Sequence, residues 1–231
     1  MKANGLYECR IVVKETDLHI FTDRPIDKDF VKARIQLYRL DIENYISKDR
    51  RFLVALKPIA VELHAKPIIK DMCRAAKIAG VGPMAAVAGA IAQALGRDLS
   101  RRGYKEIIIE NGGDIFLVSR QVRLVGIYTG RKKLWGGFKL KIKPQDTPLG
   151  ICTSSGTIGH SLSFGSADSA VILAKNASLA DAVATAVANL VKDKRSLAKA
   201  LEFARSIPGV WGAVIIIKDS LASYGKIEFS R

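Results

Sequence analysis

From Tyr7 to Val13 the apolar positions Tyr7, Cys9, Ile11 and Val13 alternate with Glu8 and Arg10, the period of a strand with one buried face. Glu15-Thr16-Asp17 turns the chain into a second short strand, Leu18 to Phe21. Asp27 is placed to cap a helix whose apolar positions Val31, Ile35, Tyr38, Ile42 and Tyr45 form one stripe. Ser47 to Pro58 is a basic, less regular connection, and His64 falls in a mixed segment that reads as structural or exposed. A helix is expected from Pro67 to Ala79, with Ile69, Met72, Cys73 and Ala76 inward and Gly80 at its end. Pro83 opens the next, to Leu95, apolar all round and therefore buried. Gly82, Gly89 and Gly96 recur every seven residues along it, where another backbone can approach closely. The amides around Gly80–Gly82 are equally placed to bind a phosphate at a helix N-terminus, so Gly82 is a candidate ligand residue.

Ile107 to Val118 reads as two strands about the hairpin signal Asn111-Gly112-Gly113. Further strands are expected at Val122–Tyr128, Phe138–Ile142, Leu149–Thr153 and Ala170–Ala174, with a basic loop, Gly130–Gly137, among them. A helix from Ser196 to Ser206 precedes a last hairpin, Ala213–Phe229. Ala86–Ala92 resembles Ala182–Ala188, and each is followed by a strand–turn–strand, the pattern of a duplicated unit. The expected fold is α+β, with mixed or antiparallel sheets and buried Ala-rich helices. It would be a single domain over residues 1–231, or two intertwined halves of about 1–120 and 121–231.

Composition adds one strong signal, a formal net charge of +15, which admits nucleic acid, another polyanion or phosphorylated small molecules as partners. The basic residues are dispersed and no nucleic-acid motif accompanies them, so nucleic acid is open but not favoured. No apolar run approaches the ~20 residues that span a bilayer, and the start MKANGLYECR carries no apolar signal region. The three cysteines, Cys9, Cys73 and Cys152, give neither a metal pattern nor a disulfide framework. A cytoplasmic protein without membrane contact is expected. The apolar faces make a homodimer reasonable.

The chemistry concentrates between Gly150 and Asn189. In the Ala/Val-rich segment Ala180–Leu190, Asp181, Thr185 and Asn189 stand four apart and share one helix face. Buried polar groups need partners, and a cation or polar ligand would supply them. The spacing Ser178-x-x-Asp181 also fits a capping box, which would make Asp181 a helix cap. Upstream, Thr153-Ser154-Ser155-Gly156 has the character of a backbone-rich ligand loop, and His160 stands between Gly159 and Ser161, where packing has little use for an imidazole.

The order of these pieces resembles the ApbE superfamily, which includes FAD:protein FMN transferases. A buried helix is followed by Asn111-Gly-Gly-Asp114-Ile, then Thr153-Ser-Ser-Gly156, His160 and Ala180-Asp-Ala-Val-Ala-Thr185. The resemblance covers roughly Gly82 to Val191 and is nearest to a soluble branch bearing the Gly-Val-Gly-Pro-Met-Ala helix. It implies that Asp181 and Thr185 hold Mg2+, a hard cation that takes oxygen ligands. It implies that Asn111, Gly112, Gly113 and Asp114, with Thr153, Ser154, Ser155 and Gly156, line a site for FAD. His160 would then assist proton transfer or touch the ligand. After His160 the family's Asp-Pro is replaced by Ser-Leu-Ser-Phe-Gly, which moves the expectation from transfer of FMN to a protein acceptor towards binding of a flavin nucleotide with Mg2+. Cleavage or transfer at the pyrophosphate stays open. So do two alternatives: a non-catalytic relative binding RNA or another polyanion, and an enzyme acting on a non-flavin cofactor.

Overall fold

In the computed structural model, which describes residues 5–127, 138–156 and 165–230, most of the alternating segments assemble into one eight-stranded antiparallel sheet. Its strands are β1 (Tyr7–Val13), β2 (Thr16–Thr22), β3 (Ile107–Asn111), β4 (Asp114–Val118), β7 (Leu149–Ser154), β8 (Ser169–Ala174), β9 (Val210–Ile217) and β10 (Ser220–Gly225), paired in that order. Each half of the sheet has the same chain order: two strands, then helices, then a hairpin. The halves meet where β4 pairs with β7. Of the four further strands expected after the Asn111 turn, two stay in this sheet as β7 and β8, and the two at Val122–Tyr128 and Phe138–Ile142 leave it. β5 (Arg123–Gly126) and β6 (Lys139–Ile142) join β11 (Phe229–Ser230) in a separate three-stranded sheet.

Strand alternation builds two cores, one on each face. Leu18, Ile20, Ile107, Ile109, Ile172 and Ile215 face the helices. Phe21, Ile108, Ile115, Leu117, Val171 and Val214 face the small sheet, packing against Val125, Leu140 and Ile142. With both faces covered, all six residues of β8 are buried, which explains its unbroken apolar run.

The helices form the third layer. α1 (Lys28–Lys48) is capped by Asp27, whose side chain accepts from the Phe30 N–H, and it buries Val31, Ile35, Tyr38, Ile42 and Tyr45. A single turn, α2 (Arg51–Val54), interrupts the connection that follows, and His64 beyond it is exposed. α3 (Pro67–Ala79) ends at Gly80, whose positive φ closes the helix. Pro83–Ala86 forms a 3-10 turn rather than the first turn of an α-helix, and α4 (Val87–Arg101) runs six residues beyond the expected end. α5 (Ala177–Leu190) and α6 (Leu197–Ser206) complete the layer. Among the described residues no single helix is long and apolar enough to cross a membrane.

The three glycines of the Gly82–Gly96 edge each meet a different neighbour. A Cβ on Gly82 would lie 1.7 Å from the Ala55 carbonyl oxygen, one on Gly89 2.3 Å from that of Ala177, and one on Gly96 2.1 Å from the Phe116 ring. Close approach is therefore the use made of this edge.

Candidate functional site

The N-terminal end of α5 is held between two glycines. Gly89 of α4 touches it from one side, and a Cβ on Gly150 of β7 would lie 2.4 Å from the Ala177 Cα on the other. Gln93 of α4 fixes the same end: its Oε1 accepts from the Ala177 N–H at 2.7 Å and its Nε2 donates to Ser178 Oγ at 3.4 Å. The helix cap is Asn176, whose Oδ1 accepts from the Leu179 N–H at 2.8 Å. This corrects the capping-box reading. Ser178 lies inside the first turn and is engaged by Gln93, and Asp181 is a turn too far along to cap anything.

Asp181 is instead a buried carboxylate whose Oδ2 accepts from the Gly89 N–H at 2.9 Å. Thr185 and Asn189, one and two turns on, are half-buried on the same face. Across from Asp181 stands Asp114, at the start of β4. It is also buried, it accepts from the Thr153 N–H with the Cys152 thiol beside it, and its Oδ1 has no partner. Burial pushes the Asp114 carboxyl up to about 7, with the Glu110 charge adding to it. Burial, then the negative charge of Asp114, raises Asp181 well above the usual carboxylate range. Cys152, between them on β7, is raised by burial and by both carboxylates, so it is a neutral thiol, donating at 3.3 Å to the Ala177 carbonyl.

Asp181, pushed up by the charge of Asp114, and Asp114, with one oxygen unsatisfied, are a pair whose charges a cation would offset. Among the described residues no three or more His, Cys, Asp or Glu side chains group to hold a metal. A cation here would rest on two carboxylates, the Thr185 hydroxyl and oxygens from ligand or water. Magnesium, which is commonly held by one or two carboxylates plus phosphate and water, suits that all-oxygen set; zinc, which favours nitrogen and sulfur, does not.

Asp114 also opens onto a cleft of about 780 Å³ that wraps from the helix side of the sheet, round the β3–β4 turn, into the space between the two sheets. That turn is the predicted one. Gly112 and Gly113 have φ of 63° and 102°, and a Cβ on Gly112 would meet only open space, so a ligand reaches bare backbone there. Asn111, Gly112, Gly113, Asp114, Thr153 and Ser155 all line the cleft. Asn111 is locked by donating from Nδ2 to the Ala88 carbonyl at 3.1 Å. Phe21, Ile115, Val125, Ile127, Leu140 and Ile151 make the inter-sheet end apolar. Although the chain carries +15, no lysine or arginine lines the cleft among the described residues, whereas Glu15, Glu110, Asp114 and Asp168 do.

Not every expected residue arrives there. Gly82 packs on Ala55 and Leu56 and is not part of the lining, so the α4 edge does not bring it to this site. Ser154 is buried in β7, and Gly156 donates its N–H to the Ala167 carbonyl and packs on Gly165. His160 and the Gly130–Gly137 loop lie outside the described residues. Four contributors were not foreseen: His19 and Glu110 in the lining, and Gln93 and Cys152, which both bond to the Ala177 end of α5. A smaller cavity of about 400 Å³ between α1 and α3, lined by Asp41, Glu62 and His64 among others, gathers none of the expected residues.

The fit of Gly89 against α5 gives a direct test. Gly89→Ala forces the Ala177 backbone away and displaces Asp181, with an expected loss of about 2 kcal/mol on denaturant unfolding. Any magnesium-dependent ligand binding should weaken with it, and unchanged stability would mean that α5 yields freely.

A family model described as AbpE bacteria matches residues 1–223. The UPF0280 protein of Methanocella arvoryzae is 41% identical over 215 residues, covering 93% of this chain and 87% of that protein. That of Methanocaldococcus jannaschii is 40% identical over 229 residues, covering 96% and 91%. Among solved structures, the flavin transferase ApbE from Vibrio cholerae superposes with a TM-score of 0.59 at 13% identity, covering 95% of this chain and 96% of that one. The apo flavinyl transferase ApbE of Pseudomonas stutzeri gives 0.60 at 12%, with 98% of each chain covered. At these identities the structural likeness is one of fold.

Proposed function

This chain belongs to the family described as AbpE bacteria, and on that premise we propose that it binds a flavin dinucleotide as its magnesium complex and acts at the pyrophosphate. The observation that carries this is the pair of buried acids, Asp114 and Asp181, of which Asp114 keeps one oxygen without a partner and lines a cleft with no lysine or arginine among the described residues. A bare diphosphate has no counter-charge in such a lining. Asp114, Asp181 and Thr185 would hold magnesium, whose charge offsets that of the diphosphate as its anhydride opens.

The other residues bind and shape. The Gly112–Gly113 backbone gives the phosphates close access, and Thr153 and Ser155 offer hydroxyls beside it. The apolar end between the sheets takes the flavin ring and keeps water from it. His160 is the proposed proton carrier. The acceptor, water or a protein hydroxyl, decides between hydrolysis and flavin transfer.

FAD titration of the purified protein, with and without magnesium and followed by flavin absorbance and fluorescence, tests the reading. Uptake should require magnesium, and Thr185→Val, which keeps volume but removes the hydroxyl, should weaken it about tenfold. Magnesium-independent uptake, or none under either condition, would sink the proposal. Where uptake holds, release of FMN and AMP separates an enzyme from a binding protein.

A further inference from the structure

We propose that His19, held by Glu8, reads the polar edge of the ligand's ring, so that this chain selects a flavin by its imide N–H. The inference rests on the flavin reading above and assigns the specificity of that site to a residue outside its motifs.

The two ends of the cleft differ in kind. The end proposed for the metal lies on the helix side of the sheet at Asp114, with Asp181 buried behind it and outside the lining. The inter-sheet end is walled by Phe21, Val125, Ile127, Leu140, Ile151 and Val171, an apolar lining that suits a fused ring. A ring there still carries heteroatoms at its edge, and these need partners once water is excluded. Of the polar side chains in the lining, Asp168 accepts from the Lys218 N–H, Asn111, Asp114, Thr153 and Ser155 belong to the turn and β7, and Glu15, His19 and Glu110 remain. Glu15 is taken by Arg39, and Glu110 accepts from the Gly113 N–H at 2.8 Å. His19 is differently placed. Its Nε2 meets Glu8 Oε1 at 2.5 Å, its ring lies 4.6 Å from that of Phe21, and its Nδ1 has no hydrogen bond.

Chemistry fixes what this imidazole offers. In the uncharged tautomer that donates Nε2–H to Glu8, Nδ1 keeps a lone pair. It is an oriented acceptor beside an apolar slot. The flavin ring has one N–H on its polar edge, flanked by two carbonyls, and that group is the donor the acceptor suits. The span agrees. His19 pairs across the sheet with Glu110, and Glu110 with Ile115, so His19 stands two strands from β4, or about 10 Å from Asp114. A ribityl chain bridges a ring at His19 and a diphosphate at Asp114.

The test uses the full chain with saturating magnesium and three probes: FAD, FAD methylated at the imide nitrogen, and ADP. The parent protein should prefer FAD over the methylated form about tenfold, the scale of one hydrogen bond. His19→Phe, which keeps the stacking on Phe21 but removes the acceptor, should abolish that preference. It should leave ADP affinity unchanged, because ADP engages the metal end. Glu8→Gln should reduce the preference partially. A preference that survives His19→Phe, or is absent from the parent, overturns the inference while leaving magnesium-dependent FAD binding in place. If FAD does not bind with magnesium at all, the functional reading falls and this inference falls with it.

Discussion

Asp181→Ala is expected to leave a folded protein whose affinity for FAD in magnesium is lower by about a thousandfold, roughly 4 kcal/mol. The carboxylate faces Asp114 from inside the α5 cylinder, and no other described acid stands where it could replace it. The effect on stability should be small because two contributions oppose. Removing the acid leaves the Gly89 N–H without its acceptor, a cost of about 1–3 kcal/mol. It also removes a desolvated acid whose charged form the neighbouring Asp114 disfavours. Asn176→Ala should behave in the opposite way, lowering stability by about 1 kcal/mol through loss of the helix cap while sparing the ion site. Melting curves and FAD titrations on the two variants separate the roles. If Asp181→Ala melts early and binds normally, the carboxylate is structural after all.

Without divalent cation the protein should lose stability as pH rises from about 5 to 8. Asp114 holds its proton up to about 7 in the native state, against ~3.9 in the unfolded chain, so the native state binds more protons across that window and stability falls with pH. Between pH 5 and 8 this amounts to on the order of 2–3 kcal/mol, or a melting temperature lower by roughly 5–10 °C for a chain of this size. Asp181, raised by burial and by Asp114, adds in the same direction. Acids held below their usual range, such as Glu106 with Arg123, contribute stability that is lost only below the window and do not mask the slope. Magnesium should restore the melting temperature at pH 8 and do little at pH 5, where the acids are protonated. Asp114→Asn should flatten the profile and abolish the magnesium effect. A flat profile in the parent would mean that the two acids are not desolvated as a pair.

The parts that sequence foretold are those fixed by neighbours in the chain. The α1 stripe, the α3 stop at Gly80 and the Asn111-Gly112-Gly113 turn each follow from local spacing and backbone preference, and each is where the pattern puts it. The separate small sheet was not legible, because β5 and β6 have the same alternation whether they extend one sheet or cover it. Asp181 could be singled out by its apolar surroundings, but its role depends on Asp114 and Gly89, which only the folded chain brings to it. Ser178 misled for the same reason: Asn176 starts the helix earlier, and Gln93, from a distant helix, occupies the hydroxyl. His19 gave no signal, being one polar position on a strand whose outer face turns into a cleft wall only when the second sheet is laid over it.

The contrast between a strongly basic chain and an acidic cleft separates capture from retention. On the proposed reading, positive charge over the rest of the molecule would draw a polyphosphate ligand in through a long-range field that salt screens within about 10 Å. Nothing basic in the described lining keeps it there. Raising ionic strength should therefore slow arrival while leaving departure nearly unchanged, and magnesium concentration should govern departure. In a cell the first quantity is nearly constant, so the residence time of the bound nucleotide would follow the free magnesium level.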